Sequence, residues 1–207
     1  MSPRKRDRPA EPRRRPAQAR AQATVAAILE AATRILRREG RAGFNTNRIA
    51  EIAGVSIGTL YGYFPDKDAI HIALARRIIE DDRRVLMDVL AEDHGAETIR
   101  ILIRAVLERH RIDRNVRRVV MSFYISSGFA AEHDALVEGL VKELAARSDR
   151  LFGRPMPPID PVRLFVVSRA VFGVARALTE HGDMKDVPID RLEDETVRFV
   201  RDYLSAQ

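Results

Sequence analysis

The chain has 207 residues, a formal net charge of +6 and no cysteine, and its length suits one medium-sized domain or two small ones. The absence of cysteine excludes disulfides, cysteine zinc ligands and thiol catalysis. No apolar run approaches the roughly 18 residues of a membrane span, and the N-terminus lacks the apolar stretch of a secretory signal. A soluble protein of the cytoplasm is therefore expected.

The positive charge is concentrated at the N-terminus. Residues 1–20 hold eight basic residues against two acidic ones, whereas residues 21–207 hold 28 of each sign. Four prolines (Pro3, Pro9, Pro12 and Pro16) oppose a helix there and no apolar residue recurs, which predicts a disordered basic arm over residues 1–20. Basic arms of this kind track phosphates or enter a DNA groove, and a solvated tail is the alternative.

The remainder of the chain shows helical periodicity and no strand-like alternation. Apolar residues recur with the spacing of one buried stripe in most segments, and glycines, prolines and capping residues separate the segments. We predict an all-α fold of nine helices. Their expected positions are residues 22–39, 46–53, 57–63, 65–92, 96–111, 116–127, 132–152, 160–181 and 190–204.

The segment from Asn45 to Lys67 reads NTNRIAEIAGVSIGTLYGYFPDK, which is two very short helices hinged on Gly54. Asn45 or Thr46 can cap the first helix, and Ser56 can cap the second. Gly54 supplies the positive φ that ends a helix at little steric cost. The second helix contains two glycines, which weaken a free-standing helix but suit a backbone that approaches a phosphate or a base edge closely. This spacing is typical of a helix-turn-helix DNA reader, and a packed helical hairpin is the alternative.

Residues 24–77 resemble the N-terminal domain of the tetracycline-repressor (TetR) family of bacterial transcription regulators. The matching residues are Ile28 to Ala32 (ILEAA), Gly40, Ile49-Ala50, Ala53-Gly54-Val55-Ser56, Gly58-Thr59-Leu60-Tyr61, Tyr63-Phe64 and Lys67. The resemblance covers about a quarter of the chain. It implies a three-helix DNA-binding domain over residues 21–66, preceded by the arm and followed by a helical ligand-binding and dimerisation domain over residues 67–207.

The resemblance also implies which residues contact DNA. Asn47 can pair with adenine, and Tyr61 can touch a base edge or a thymine methyl group. The hydroxyl and cationic side chains suit phosphates, while Ile57 and Gly58 offer only apolar or backbone contact. Leu60 and Phe64 are expected to pack inside. The ten candidate contact residues are Thr46, Asn47, Arg48, Ser56, Ile57, Gly58, Thr59, Tyr61, Tyr63 and Lys67.

The predicted eighth helix is apolar around more than one face, so it must be buried on several sides. A partner subunit would supply one of these surfaces, and the resemblance implies a homodimer with a four-helix interface; a helix internal to one subunit is the alternative. Two recognition helices related by a two-fold axis read a palindrome with half-sites ~34 Å apart. The candidate interface residues are Phe165, Phe172, Leu192, Phe199 and Tyr203.

A ligand cavity among helices four to eight is a further implication of the resemblance, with a filled core as the alternative for each residue. Few polar groups lie on these apolar faces, so a small and largely apolar effector is expected. Its candidate lining residues are Leu86, Leu90, Met121, Phe123, Tyr124, Phe165, Val171 and Phe172, with His110 and Ser126 as polar anchors.

No enzyme motif accompanies these features. The five histidines lie on different predicted helices without metal-ligand spacing, and there is no phosphate-binding glycine loop or nucleophile elbow. No catalytic residue, metal or cofactor is therefore expected. The sequence predicts a dimeric, operator-binding transcriptional regulator, most simply a repressor that a ligand releases from DNA. A helical ligand-binding or scaffolding dimer without DNA binding is the alternative.

Overall fold

The computed structural model describes residues 14–153, 155, 157–180 and 187–205. Every regular element in these ranges is helical, which confirms the all-α prediction. The α-helices are α1 (Arg14–Glu39), α2 (Thr46–Ala53), α3 (Ile57–Tyr63), α4 (Lys67–Ala91), α5 (Thr98–Arg111), α6 (Arg114–Tyr124), α7 (Ala130–Ala145), α8 (Ser148–Phe152), α9 (Pro161–Glu180) and α10 (Ile189–Ser205). Short 3-10 turns at Gly40–Gly43 and Gly95–Glu97 precede α2 and α5, and a π-helical turn at Ile125–Phe129 joins α6 to α7.

The described ranges contain ten α-helices, so the predicted count of nine is wrong. The predicted seventh helix is interrupted at Ala146 and Arg147, where the amide of Arg147 bonds to the carbonyl of Leu144 in a tightened turn. Helix α8 follows this turn, and its Leu151 side chain is buried. The predicted eighth helix is α9, and its expected end at His181 lies outside the described residues.

Helix α1 begins at Arg14, eight residues earlier than predicted, so residues 14–20 are helical and do not belong to a disordered arm. Pro16 does not prevent this because it is the third residue of the helix, where a backbone amide has no intrahelical acceptor to lose. The rest of the predicted arm, residues 1–13, lies outside the described residues.

Two hydrophobic cores are built along the chain. The N-terminal core joins α1, α2 and α3 to the first half of α4 and to α6, with Ile35, Ile49, Leu60, Leu74 and Val120 among its members. The C-terminal core joins the second half of α4 to α5, α7, α8, α9 and α10. Because α4 is continuous and contributes to both cores, it connects them mechanically.

An ionic cluster lies between the two cores, with Arg117 buried and Asp82 and Arg109 half-buried. Asp82 of α4 accepts hydrogen bonds from Arg117 of α6 at 2.7 and 2.9 Å and from Arg109 of α5 at 2.8 Å. Burial by itself would raise the pKa of Asp82, but the hydrogen bonds and charges of the two arginines outweigh burial and hold this pKa below its ordinary value. The cluster therefore fastens three helices together at the junction.

Candidate DNA-binding site

The start of α2 is fixed by a local cap. The side-chain oxygen of Asn45 accepts the backbone N–H of Arg48 at 2.9 Å, so Asn45 is the N-cap residue. This cap places Thr46 and Asn47 in the first turn of α2. The side chain of Asn47 is exposed and that of Thr46 is half-buried, so this turn presents polar groups at the surface.

The turn between α2 and α3 depends on Gly54. This residue has φ 69° and ψ 29°, in the left-handed region that favours glycine. The backbone N–H of Gly54 donates to the carbonyl oxygen of Glu51 at 3.2 Å, and the backbone N–H of Val55 donates to the carbonyl oxygen of Ala50 at 3.0 Å. These two bonds close α2 with a Schellman pattern, and Val55 packs against the N-terminal core. The direction in which α3 leaves the turn is therefore set by backbone geometry.

Helix α3 is held by a cap and a single buried side chain. Ser56 accepts the backbone N–H of Thr59 at 3.0 Å, and the hydroxyls of these two residues are 2.8 Å apart. Leu60 is fully buried, while Tyr61 and Tyr63 are 49% and 40% exposed. Tyrosines are usually covered to a greater extent, so α3 presents two aromatic side chains that are available for contact.

One hydrogen bond joins the two helices of the reader. The Thr46 hydroxyl and the Tyr61 hydroxyl are 3.1 Å apart, across 15 residues of sequence. This bond orients the phenol of Tyr61 before any DNA is bound. The sequence placed both residues in the site but gave no signal of their contact, because neither helix bounds nor capping rules specify how two helices face each other.

Lys67 is the first residue of α4 and follows another local cap. Asp66 accepts the backbone N–H of Ala69 at 2.7 Å. The Lys67 side chain is exposed, and no carboxylate of the described residues lies within ion-pair distance of it. Because the N-terminus of a helix carries partial positive charge, Lys67 and the free amides of α4 together suit an anion such as a phosphate.

Arg48 differs from the other candidates because carboxylates of the same chain already bind it. Its guanidinium is 2.9 Å from Glu51 and 3.8 Å from Glu39. The hydrogen bond to Glu51, followed by the charges of both carboxylates, raises the pKa of Arg48. A phosphate contact from Arg48 would have to compete with these exposed pairs, so the structure does not present it as a free cation.

Sequence reasoning missed His71, which supports the site from beneath. Its ring lies between Phe44 and Phe123, with centroid distances of 4.0 and 4.6 Å, and its Nδ1 is 3.1 Å from the Lys67 carbonyl oxygen. Burial lowers the pKa of His71, which favours the neutral imidazole. The stack fixes the first turn of α4, and therefore Lys67, against α6.

An apolar cavity of about 110 Å³ lies in the C-terminal core. Its lining contains no charged residue and includes a single hydroxyl, that of Ser168, which donates to the Phe165 carbonyl at 2.9 Å. The lining residues are Leu86, Ile99, Leu102, Ile103, Val106, Val141, Leu144, Ala145, Leu151, Phe152, Ile159, Leu164, Ser168, Val171, Phe172, Val200 and Leu204.

Three of the ten predicted pocket residues line this cavity: Leu86, Val171 and Phe172. Leu90 is packed solidly in the C-terminal core, and Phe165 is exposed to solvent. The three predicted residues of α6 do not line this cavity, because Met121 and Tyr124 pack into the N-terminal core while Phe123 stacks on His71. An apolar stripe shows that a helix is buried but does not show which of two cores it faces.

The two predicted polar anchors also lie away from the cavity lining. Nδ1 of His110 is 2.9 Å from the carbonyl oxygen of Val106, and burial, followed by the nearby charge of Arg117, lowers the pKa of His110. Ser126 is exposed and donates to the Phe123 carbonyl at 3.0 Å. The cavity therefore offers a ligand less polarity than the sequence suggested.

The predicted interface residues divide into two groups. Phe165 is 60% exposed and lies beside the exposed Val162 and Val166 on the first turns of α9; Phe199 of α10 is also exposed. Phe172, Leu192 and Tyr203 are half-buried and pack against the C-terminal core. Arg163 connects the two helices by donating to the Tyr203 carbonyl at 3.2 Å. We refer to the three exposed residues of α9, Val162, Phe165 and Val166, as the outer apolar face.

The described residues contain neither a candidate metal site nor a candidate membrane span. No group of three or more histidine, aspartate or glutamate side chains there is arranged to hold a metal ion. No helix in the same ranges is both long and apolar enough to cross a membrane.

Comparison with known proteins agrees with this geometry. Residues 28–74, which contain α2, the Gly54 turn, α3 and the start of α4, match the family model for bacterial regulatory proteins of the tetR family. The transcriptional repressor AcnR of Corynebacterium diphtheriae is 28% identical over 177 residues, which cover 83% of this chain and 90% of that protein. The transcriptional regulator RutR of Escherichia coli is 44% identical over 54 residues, 26% of each chain.

The fold is shared over most of the length of the chain. The crystal structure of the multidrug binding protein EbrR complexed with ethidium matches with a TM-score of 0.59 at 20% identity, over 87% of this chain and 97% of that one. The family model and the relatives agree on the N-terminal region. Residues 28–74 are of the type found in bacterial regulatory proteins of the tetR family, and the chain as a whole shares its fold with EbrR.

Proposed function

We propose that this protein is a homodimeric repressor that binds a palindromic operator through two copies of α3 and is released by a small, uncharged, apolar ligand. The proposal rests on the exposed surface of α3. The cap at Asn45, the turn at Gly54 and the cap at Ser56 hold this helix in place, and the fold leaves its two tyrosines, Tyr61 and Tyr63, exposed. Because operator DNA in a bacterium lies in the cytoplasm, the proposed repressor acts there. No catalytic residue or cofactor is part of this proposal.

We assign the DNA contacts to the first turns of α2 and α4, to α3 and to the N-terminal arm. Residues 21–66 read the operator, with Asn47 and Tyr61 toward base edges, and residues 67–207 bind ligand and form the dimer. Lys67 and the hydroxyls of Thr46, Ser56, Thr59 and Tyr63 are assigned to phosphates, which fix the register of the protein on DNA. Residues 1–13 carry five basic against two acidic residues and are assigned to phosphates outside the half-site.

The lining of the cavity supports the proposed ligand class. A cation such as ethidium, which EbrR binds, would meet no carboxylate on these walls, and an anion would meet no cation. Burying an unpaired charge is costly, so an uncharged ligand is favoured. Drug-sized ligands occupy pockets of roughly 300 Å³ or more, so binding must widen the cavity, and this widening provides a way to shift the helices around it.

A salt titration of the Lys67→Ala variant tests the DNA-binding role. The operator is first selected from randomised DNA with the wild-type protein. The variant is expected to bind all sequences more weakly, with the slope of log affinity against log salt reduced by about one unit per protomer. The slope falls because a complex with one phosphate contact fewer per protomer releases fewer counterions when it forms. The same titration on a chain that lacks residues 2–13 measures how much these residues contribute to the salt-dependent part of DNA binding.

Lys142→Ala is the matched control, since Lys142 lies on α7 and is paired with Glu138 at 2.9 Å. Its salt slope should equal that of the wild type. An unchanged slope combined with altered base preference in the Lys67→Ala variant would contradict the phosphate assignment. If selection with wild-type protein enriches no DNA sequence, the repressor proposal fails and a ligand-binding dimer without DNA binding replaces it.

A second prediction concerns the cavity. Nile red, an uncharged apolar dye, is expected to bind the wild-type protein and weaken its operator complex, whereas ethidium should not bind the free protein. The Val106→Phe variant should lose Nile red binding because the larger side chain fills the cavity, while operator binding is retained. Dye fluorescence and DNA gel shifts measure both effects. Undiminished Nile red fluorescence with the variant would place the ligand site elsewhere.

A further inference from the structure

The most outward line of α3 carries no side chain. Leu60 is fully buried and anchors the helix to the N-terminal core. Successive residues of an α-helix are turned by about 100°, so Gly58 and Gly62, two residues to either side of Leu60, each lie about 160° from it. Both glycines therefore lie on the face opposite the anchor, and both are exposed. The part of α3 that projects farthest from the protein is bare backbone.

The fold itself does not require these glycines. Neither has the positive φ that makes Gly54 necessary. A Cβ atom added at Gly62 would meet nothing within 4 Å, and one added at Gly58 would meet only the Ser56 Oγ, at 3.8 Å. Glycine inside a helix is unfavourable relative to alanine because it loses more conformational freedom on folding. The isolated protein would therefore be more stable with alanine at both positions.

Exposed side chains border this bare line on both sides. By the same rotation, Ile57 and Tyr61 lie along one edge, and Thr59 and Tyr63 lie along the other. The result is a shallow channel over the helix backbone with a tyrosine on each side. The major groove of DNA admits an α-helix, and the distance between the helix axis and the base pairs is limited by the side chains on the outermost line.

We propose that Gly58 and Gly62 determine operator affinity by allowing the backbone of α3 to approach the base-pair edges more closely than any larger residue would permit. Tyr61 then reaches the base edges from one side of the channel, and Tyr63 reaches the phosphates of the groove wall from the other. This inference rests on the proposed DNA-binding function. Non-specific binding is dominated by phosphate contacts and does not require a fully inserted helix, so it should be insensitive to both glycines.

The test compares Gly58→Ala and Gly62→Ala with Gly139→Ala. Gly139 is an exposed glycine inside α7, and a Cβ there would also meet nothing within 4 Å, so it is a matched control away from the site. All three variants are expected to unfold at higher urea concentration than the wild type. Only the first two should weaken binding to the selected operator, by roughly tenfold or more, the scale of one lost base-pair contact. Affinity for unrelated DNA should be unchanged.

Each alternative result is distinguishable. If the wild type selects no operator, the proposed function itself fails. If the wild type binds an operator and both α3 variants bind it equally well, the inference is overturned. It is also overturned if these variants are less stable than the wild type while Gly139→Ala is more stable, because the glycines would then serve the fold. An equal loss on operator and unrelated DNA would assign them to the phosphate backbone instead of the base edges.

Discussion

Replacing Phe165 by glutamate is expected to convert the dimer into folded monomers and to abolish specific operator binding at the same time. Phe165 is the centre of the outer apolar face, where Val162 precedes it by one helical turn and Val166 adjoins it. Contiguous exposed aromatic and aliphatic side chains of this kind mark a protein contact surface. In the protomer the change replaces one exposed side chain by another, so the protomer should still fold.

The dimer should not tolerate this substitution. A carboxylate enclosed between two apolar faces loses its hydration, which is costly for each of the two copies. The guanidinium of Arg169 lies 5.3 Å from the Phe165 ring centroid but is already paired with Asp134 at 3.1 Å, so it should offset only part of this cost. Monomers present one recognition helix and contact one half-site, so operator affinity should fall by at least about a hundredfold. Sedimentation measures the mass, circular dichroism the fold, and a gel shift the DNA affinity.

Ile112→Glu provides the matched control, because Ile112 is 59% exposed, close to the 60% of Phe165, but lies at the end of α5, outside the outer apolar face. This variant should remain a dimer and bind the operator like the wild type. A Phe165→Glu protein that sediments as a dimer would show that the outer apolar face is not the interface. Dissociation of both variants would show that added charge alone separates the subunits.

The second large effect is expected from Asp82→Asn, which should lower the free energy of unfolding by about 3 kcal/mol. Asparagine has nearly the same shape but no charge, so it leaves Arg117, whose side chain is only 10% exposed, without a counter-charge. Removing one partner of a buried pair is costly because the remaining charge stays desolvated. Urea unfolding at a fixed protomer concentration measures the difference, since the stability of a dimer depends on concentration.

The adjacent Asp81→Asn variant is the control. Asp81 pairs with Arg84 at 2.8 Å on the surface of α4, and such exposed pairs contribute less than about 1 kcal/mol. A cost for Asp82→Asn no larger than that for Asp81→Asn would show that the ionic cluster contributes little to stability.

The stability difference should also depend on pH. Because the folded pKa of Asp82 is lowered, its contribution is fully present above the ordinary carboxylate pKa near ~4 and is lost as the pH falls through the lower folded value. The difference in free energy of unfolding between the wild type and Asp82→Asn should therefore be constant near neutral pH and should become smaller in acid. If this difference becomes larger in acid, the pH dependence comes from some group other than the Asp82 carboxylate.

Local features of the reader were determined by the sequence. Ser56 caps α3 and Gly54 closes α2 as predicted, because each of these interactions joins residues within about one helical turn or fixes a single φ. Helical periodicity likewise identified all the helices of the DNA-binding region. The predicted start of α1 is eight residues too late, because Pro16 lies in the first turn of the helix, where proline is accepted.

Contacts between elements were decided only by the tertiary structure. The pairing of Arg48 with Glu39, the hydrogen bond between Thr46 and Tyr61 and the position of His71 between two phenylalanine rings all depend on how helices face each other. The pocket shows the same limit. Phe123 and Phe172 both belong to apolar stripes, and periodicity reports that each stripe is buried, but only three-dimensional packing assigns one ring to the support of the reader and the other to the cavity.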